Sequence, residues 1–286
     1  APLSFSAAQT GSQLWEPKNF DGKFEGPMRM RTALVKSKNL VSIRILQAIG
    51  IQYAQDYITR FGFDSSRHPP YLPMALGSGS VTPMQMAVGY SVFANGGYRI
   101  APYFIKRIED EKGNVLEQFQ PITPLNGAKR VIDPRNAFIM THMMQDVVNY
   151  GTAAKAKQLG RTDLAGKTGT TSNFVDAWFC GFQKDLVTVA WTGYDEPKSL
   201  GNNETGGRIA LPIWMDYMGP VLKGVPMAEY KPPNGILATK INSATGFRES
   251  AGDINEYFFS EQLPPVSDTV VDHTPKVTKD LKDQLF

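Results

Sequence analysis

Ala165-Gly166-Lys167-Thr168-Gly169-Thr170-Thr171, Ala177-Trp178-Phe179-Cys180-Gly181-Phe182-Gln183 and Leu186-Val187-Thr188-Val189-Ala190-Trp191-Thr192-Gly193-Tyr194 follow one another within residues 165–194. Each run is too short for a typical helix, and the last is β-branched and bounded by charged turns, which favours a buried strand. Gln183-Lys184-Asp185 is short enough to close a hairpin, so the three runs predict adjacent antiparallel strands. Helical signals surround them. Leu211 to Leu222, after Pro212, places Ile213, Trp214, Tyr217, Met218 and Val221 along one side. Asp133-Pro134 and Thr82-Pro83 each pair a capping residue with proline at the first helical position, opening helices that run to Tyr150 and Phe93. Tyr53 to Phe61 predicts another helix, stopped by Gly62, and Met28 to Ile49 predicts two more, broken by a polar turn at Ser37 to Asn39. The fold class is therefore α/β: an antiparallel sheet flanked by helices, with a helical lobe.

The remaining segments are less regular. Residues 1–27 are rich in Gly, Pro, Asn and Asp, and Tyr103 to Glu109 with Val115 to Phe119 reads as a surface hairpin followed by a polar loop to Lys129. Beyond Gly224 periodicity fades, so residues 1–224 are taken as the domain and 225–286 as a C-terminal extension that packs on it or hangs free.

Composition narrows the function. With 42% hydrophobic and 20% charged residues among 286, the chain can bury a core and is no disordered or fibrous protein. A net charge of +3 is too small and too dispersed for a nucleic-acid binder. No run of 18 apolar residues occurs, and the first residues have neither the basic start nor the apolar stretch of a signal peptide. One cysteine, Cys180, excludes an internal disulfide and reads as a small buried thiol, while His68, His142 and His273 lack metal-ligand spacing, so no structural zinc is expected.

Two short motifs carry chemistry: Ser37-Lys38-Asn39, in the turn between apolar helices, and Lys167-Thr168-Gly169, opening the first late strand. Either alone is a common pattern. Together they resemble two of the three motifs of one group of serine acyl-transfer enzymes, in which Ser-x-x-Lys supplies the nucleophile. Such chemistry needs a serine, a base, a cation for the substrate carboxylate and donors for the tetrahedral oxyanion. Lys167 can anchor a carboxylate, Thr168 and Thr170 offer hydroxyls, and Gly169 lets a substrate backbone approach the strand as an added edge. Ser37 can relay a proton to a leaving amine, and Asn39 can bond a substrate amide and a catalytic lysine. Ser37 and Asn39 are expected to face the same cleft as Lys167.

The chain resembles the transpeptidase portion of the class A penicillin-binding proteins, the bifunctional peptidoglycan synthases of bacteria. The resemblance covers roughly residues 1–224 and rests on Leu34-Val35-Lys36-Ser37-Lys38-Asn39-Leu40, Thr82-Pro83-Met84-Gln85-Met86-Ala87, Phe93-Ala94-Asn95-Gly96-Gly97-Tyr98, Val131-Ile132-Asp133-Pro134, Gly166-Lys167-Thr168-Gly169-Thr170-Thr171, Asp176-Ala177-Trp178-Phe179 and Val189-Ala190-Trp191-Thr192-Gly193-Tyr194. It implies the penicillin-recognising fold and D-alanyl-D-alanine transpeptidation, with Ser37, Asn39 and Lys167 catalytic and Thr168, Gly169 and Thr170 binding substrate. It implies peptidoglycan stem peptides and β-lactam antibiotics as partners, no metal or organic cofactor, no nucleic acid, and a place on the outer face of the cytoplasmic membrane. One departure stands out: no Ser-x-x-Lys occurs in the 286 residues. The resemblance implies that this motif, two strands of the sheet, a glycosyltransferase domain and the membrane anchor belong to an upstream segment. Thr152-Ala153-Ala154-Lys155 is a poor substitute, because it falls where the family has an unrelated helix.

Two rival functions remain open at this level. One is a D,D-carboxypeptidase or β-lactamase-type hydrolase, in which water replaces the acceptor amine. The other is a penicillin-binding sensor or scaffold without turnover, which the missing Ser-x-x-Lys would suit. Trp15, Trp178, Trp191 and Trp214 read as core packing before a sugar-stacking platform. The Gly201 to Gly207 loop reads equally as cleft rim or plain connector.

Overall fold

The computed structural model describes residues 1–11 and 13–267. In chain order the helices are α1 (Ala7–Thr10), α2 (Met30–Val35), α3 (Asn39–Ile49), α4 (Ile51–Ile58), α5 (Pro83–Ala94), α6 (Pro134–Tyr150) and α7 (Leu211–Val221). The strands are β1 (Tyr98–Arg99), β2 (Arg107–Glu109), β3 (Val115–Gln118), β4 (Lys129–Arg130), β5 (Ala165–Thr170), β6 (Ala177–Gln183), β7 (Leu186–Thr192), β8 (Ile236–Ile241) and β9 (Ile254–Phe259). The two proline-led helices start where their caps require. Thr82 Oγ1 accepts from Gln85 N while Gln85 Oε1 accepts from Thr82 N, and Asp133 Oδ1 accepts from Arg135 N.

The central sheet has the order β5-β6-β7, antiparallel throughout, with Lys167 opposite Cys180 and Trp178 opposite Trp191. Its middle strand is apolar almost without break because both faces are covered. Phe179 faces α7 and meets Trp214 edge-on at 5.0 Å, whereas Phe182 packs with Ala94 of α5 and Met144 of α6. The alternation fixes the site: Lys167 shares a face with Cys180, and Thr168 takes the opposite one. No other strand among the described residues covers the outer edges of β5 and β7. A second core, around Ile43, Leu40, Leu46, Leu72 and Phe5, belongs to the helical lobe that carries the α2–α3 turn.

Two local expectations are corrected. The segment after Gly224 is not irregular throughout: β8 and β9 pair in register from Ile236–Phe259 to Ile241–Ile254 and dock on α6, where Tyr257 meets Phe138 and His142 edge-on. The rest of the expected extension, 268–286 with His273, lies outside the described residues. The loop before Lys129 ends in a small ribbon, β4 pairing with β1.

The Gly206–Ala210 segment leading into α7 is π-helical, and it crosses the sheet so closely that only glycine fits at 206. A Cβ there would sit 2.2 Å from Trp178 O and 2.4 Å from Gly169 O, both backbone atoms. Gly206→Ala is therefore expected to destabilise the fold by about 1–3 kcal/mol. Chemical denaturation checks this, and an unchanged midpoint would contradict the close crossing.

Candidate active site

Ser37 sits in the turn between α2 and α3 with φ of 53°, a left-handed conformation that costs a non-glycine residue energy. Its amide donates to Leu34 O and that of Lys38 to Ala33 O, which locks the turn. A strap of the N-terminal segment clamps it from outside. Buried Lys38 pairs with Asp21 Oδ2 at 2.6 Å and Glu25 Oε1 at 3.2 Å, and Asn19 Oδ1 accepts from Leu40 N. Asp21 and Glu25 raise the Lys38 pKa, while Lys38 holds the Asp21 carboxyl below its usual range and Lys36, with Lys38, does the same to Glu25.

Held this way, Ser37 meets β5 across 130 residues of sequence. Lys167 Nζ donates to Ser37 Oγ at 2.7 Å and to Thr168 O at 2.9 Å. Burial lowers the Lys167 pKa from 10.5 to about 8, with no carboxylate bonded to its ammonium among the described residues. Behind it, burial pushes the Cys180 thiol up to about 12, so Cys180 stays a protonated, inert neighbour.

The cleft has two lobes joined at Thr168 and Thr170. One, about 560 Å³, is lined by Ser37, Asn39, Thr152, Thr168, Thr170 and Gly207, and its rim carries Lys155, Lys36 paired with Glu25, and Arg208 beside Glu204. The other, about 780 Å³, is lined by Tyr90, Lys167, Gly169, Trp178, Cys180 and Trp191 among others. Ser37, Asn39, Lys167, Thr168, Gly169 and Thr170 are thus brought together. Lys167 is aimed at the serine hydroxyl, however, while Thr168 and Thr170 line both lobes. Asn39 lines the cleft while its Nδ2 donates to Lys18 O in the strap.

Several cleft residues were not legible in sequence. Thr152 Oγ1 lies 2.7 Å from Thr168 Oγ1, so the segment set aside as an unrelated helix borders the site. A hydroxyl is its partner there, and no base contacts it among the described residues, so it has no nucleophile geometry. The Gly201 to Gly207 loop is cleft rim, since Gly206 N donates to Thr170 Oγ1 at 3.0 Å and Gly207 lines the first lobe. Trp178 and Trp191 face the second lobe with rings 5.9 Å apart, while Trp214 is fully buried as expected. Phe20 of the strap reaches Phe174 of the β5–β6 loop edge-on at 6.4 Å.

Among the described residues no cluster of His, Cys, Asp and Glu could hold a metal ion, and no helix is long and apolar enough to cross a membrane. The arrangement can pass a proton through Ser37 Oγ from Lys167 and hold an anionic group at Thr168 and Thr170.

Residues 6–218 match the family model described as the penicillin binding protein transpeptidase domain. The chain is 52% identical over 238 residues to penicillin-binding protein 1A of Neisseria lactamica, covering 83% of this chain and 30% of that protein. The crystal structure of penicillin-binding protein 1A from Haemophilus influenzae superposes with a TM-score of 0.87 at 32% identity, covering 92% of this chain and 44% of that one. The PonA1 protein of Mycobacterium tuberculosis, solved in complex with penicillin V, shares the fold at a TM-score of 0.65 and 24% identity, over 82% of this chain and 65% of that one. The chain spans about 30% of the length of the first relative it matches.

Proposed function

Because the chain belongs to the penicillin-binding protein transpeptidase family, we propose that it is the downstream part of a serine D,D-transpeptidase that cross-links peptidoglycan stem peptides and is acylated by β-lactams. The observation that carries this reading is the contact of Lys167 Nζ with Ser37 Oγ, beside the Thr168 and Thr170 hydroxyls at a strand edge without a strand partner among the described residues. The stem peptide adds antiparallel along that edge of β5, where Gly169 offers no side chain to obstruct it. Its terminal carboxylate lies at Thr168 and Thr170, with Lys155 on the nearby rim. When the serine of Ser-x-x-Lys attacks the penultimate carbonyl, its proton passes to the lysine of that motif; as the carbon–nitrogen bond breaks, Ser37 gives its proton to the departing D-alanine nitrogen and recovers one from the Lys167 ammonium, which is reprotonated before the next turnover. Attack by an amine of a second stem peptide then forms the cross-link. Asn39 binds the substrate amide beside this relay.

Residues 1–224 form the downstream part of the transpeptidase domain, and 225–286 extend it. The acylated serine belongs to a part of the protein outside these 286 residues, which contain no Ser-x-x-Lys. A glycosyltransferase domain and a membrane anchor complete the synthase, and the reaction takes place outside the cytoplasmic membrane, where the stem peptides are.

The relay has a pH signature. Lys167 is half-protonated at about pH 8, so the ammonium that supplies the proton is present below that pH and lost above it. The second-order acylation rate of the complete protein with penicillin is expected to fall above about pH 8, and Lys167→Ala should lose that limb. A limb that survives in Lys167→Ala would assign the titration to another group.

A further inference from the structure

We infer that Glu256, on the C-terminal hairpin, is a positioning residue for the reaction at Ser37, acting through Arg31. This rests on the reading of Ser37 and Lys167 as the reacting pair.

Arg31 lies on α2, six residues upstream of Ser37, a span of about 9 Å along a helix. Its guanidinium is spent entirely within the protein. Nε donates to Glu256 Oε2 at 2.7 Å, with a further short contact from NH2 to Oε1, and NH1 donates to Asp146 Oδ2 at 2.8 Å and His142 O at 3.1 Å. NH1 also lies 2.9 Å from His142 Nδ1, which accepts only when that nitrogen carries no proton. Arg29, the residue preceding α2, adds a second guanidinium on Glu256 Oε2 at 3.1 Å. The side chains of Arg31 and Glu256 are each only 10% exposed, so this is a fork-on-carboxylate contact in a largely dry site, unlike a solvated surface pair. It joins three elements: β9 through Glu256, α6 through His142 and Asp146, and α2 through Arg29 and Arg31.

Among the described residues none of the hairpin, Glu256 included, lines either lobe of the cleft. Its apolar contacts go to α6, through Tyr257 on Phe138 and His142. Yet α2 is only six residues long, too short to hold its place by its own hydrogen bonds. Its C-terminal end carries the strained Ser37, and Val35 O accepts from Thr152 N, next to the Thr168 hydroxyl. A shift of α2 along its axis would move Ser37 Oγ off Lys167 Nζ while leaving Thr168 and Thr170, which sit on β5, where they are. The N-terminal strap fixes the turn from outside, and Glu256 fixes the opposite end of the helix.

This separation defines the test. In the complete protein, stopped-flow acylation by a fluorescent penicillin gives three quantities: the dissociation constant before acylation, the acylation rate constant, and the fraction of molecules labelled. Glu256→Gln keeps the shape and one good acceptor but removes the charge that holds two arginines. It is expected to lower the acylation rate constant roughly tenfold, within the factor of about 100 that a 1 Å misplacement can cost, with the dissociation constant and the labelled fraction unchanged. A merely structural role would reduce the labelled fraction and leave the rate constant of the remainder at the wild-type value, and that result overturns the inference, as does a wild-type rate with full labelling. Where Glu256→Gln yields too little folded protein, Asp146→Asn loosens the more exposed arm of Arg31 and is held to the same criteria. Lys167→Ala in parallel separates the two readings. A slow Lys167→Ala beside a wild-type Glu256→Gln overturns the positioning role alone, and wild-type rates in both overturn the reacting pair and the positioning role together.

Discussion

Lys167→Ala in the complete protein is expected to slow penicillin acylation about 10²–10⁴-fold, the range a positioned proton donor or acceptor contributes. Lys167 is the cation that touches Ser37 Oγ, and its lowered pKa of about 8 makes it a better proton donor near neutrality than an ordinary lysine. Alanine would leave the Ser37 hydroxyl without the amine that orients it and returns its proton. Thr168 and Thr170 stay on their strand, so binding of the antibiotic before acylation should weaken far less than the rate. Arginine is a poor replacement, because a guanidinium keeps its proton at any pH of interest and cannot relay it. Stopped-flow labelling of Lys167→Ala at wild-type speed would remove Lys167 from the mechanism.

Trp214→Ala is expected to destabilise the protein by about 3–5 kcal/mol, the range for deleting a buried large aromatic side chain. The indole is fully buried on the α7 face of the sheet, against Phe179 at 5.0 Å, and its Nε1 donates to Thr188 O at 3.0 Å. Gly181 makes room for it, since a Cβ at that position would approach the ring to 2.9 Å. Truncation thus opens a cavity between α7 and the central sheet, and it removes the indole's hydrogen bond to Thr188 O. Trp214→Phe refills part of the space but still lacks the hydrogen bond to Thr188 O, so it should fall between the two. Urea denaturation followed by loss of penicillin labelling measures both, and an alanine variant within 1 kcal/mol of wild type would show that the sheet does not depend on this contact.

Much of this fold was legible because its strongest local signals agree with its tertiary structure. The β6 run from Ala177 to Gln183 is apolar on both faces and is covered on both, and the two proline-led helices begin at Thr82 and Asp133 as their caps dictate. The Ser37 turn and the Lys167 strand could be paired only through the two motifs together, since 130 residues separate them. The hairpin β8–β9 was missed because its pattern is set from a distance. Its buried position in β9 is a glutamate, Glu256, compensated by arginines more than 220 residues away, so the strand shows no apolar alternation. The glycine at 206 likewise reads as a loop residue, and its reason, the backbone of Gly169 and Trp178 crossing beneath it, exists only in the folded chain. Thr152 was set aside for the same cause: its place at the site comes from Thr168 beside it, 2.7 Å between hydroxyl oxygens.

A crystal structure of the complete protein acylated by penicillin tests the central claim most directly. The account predicts the antibiotic's carboxylate within hydrogen-bonding distance of the Thr168 and Thr170 hydroxyls, its backbone-like edge along β5, and Ser37 Oγ between Lys167 Nζ and the nitrogen released when the lactam opens. An acyl group whose carboxylate meets neither threonine, with the Ser37–Lys167 contact turned away from the ligand, would contradict it.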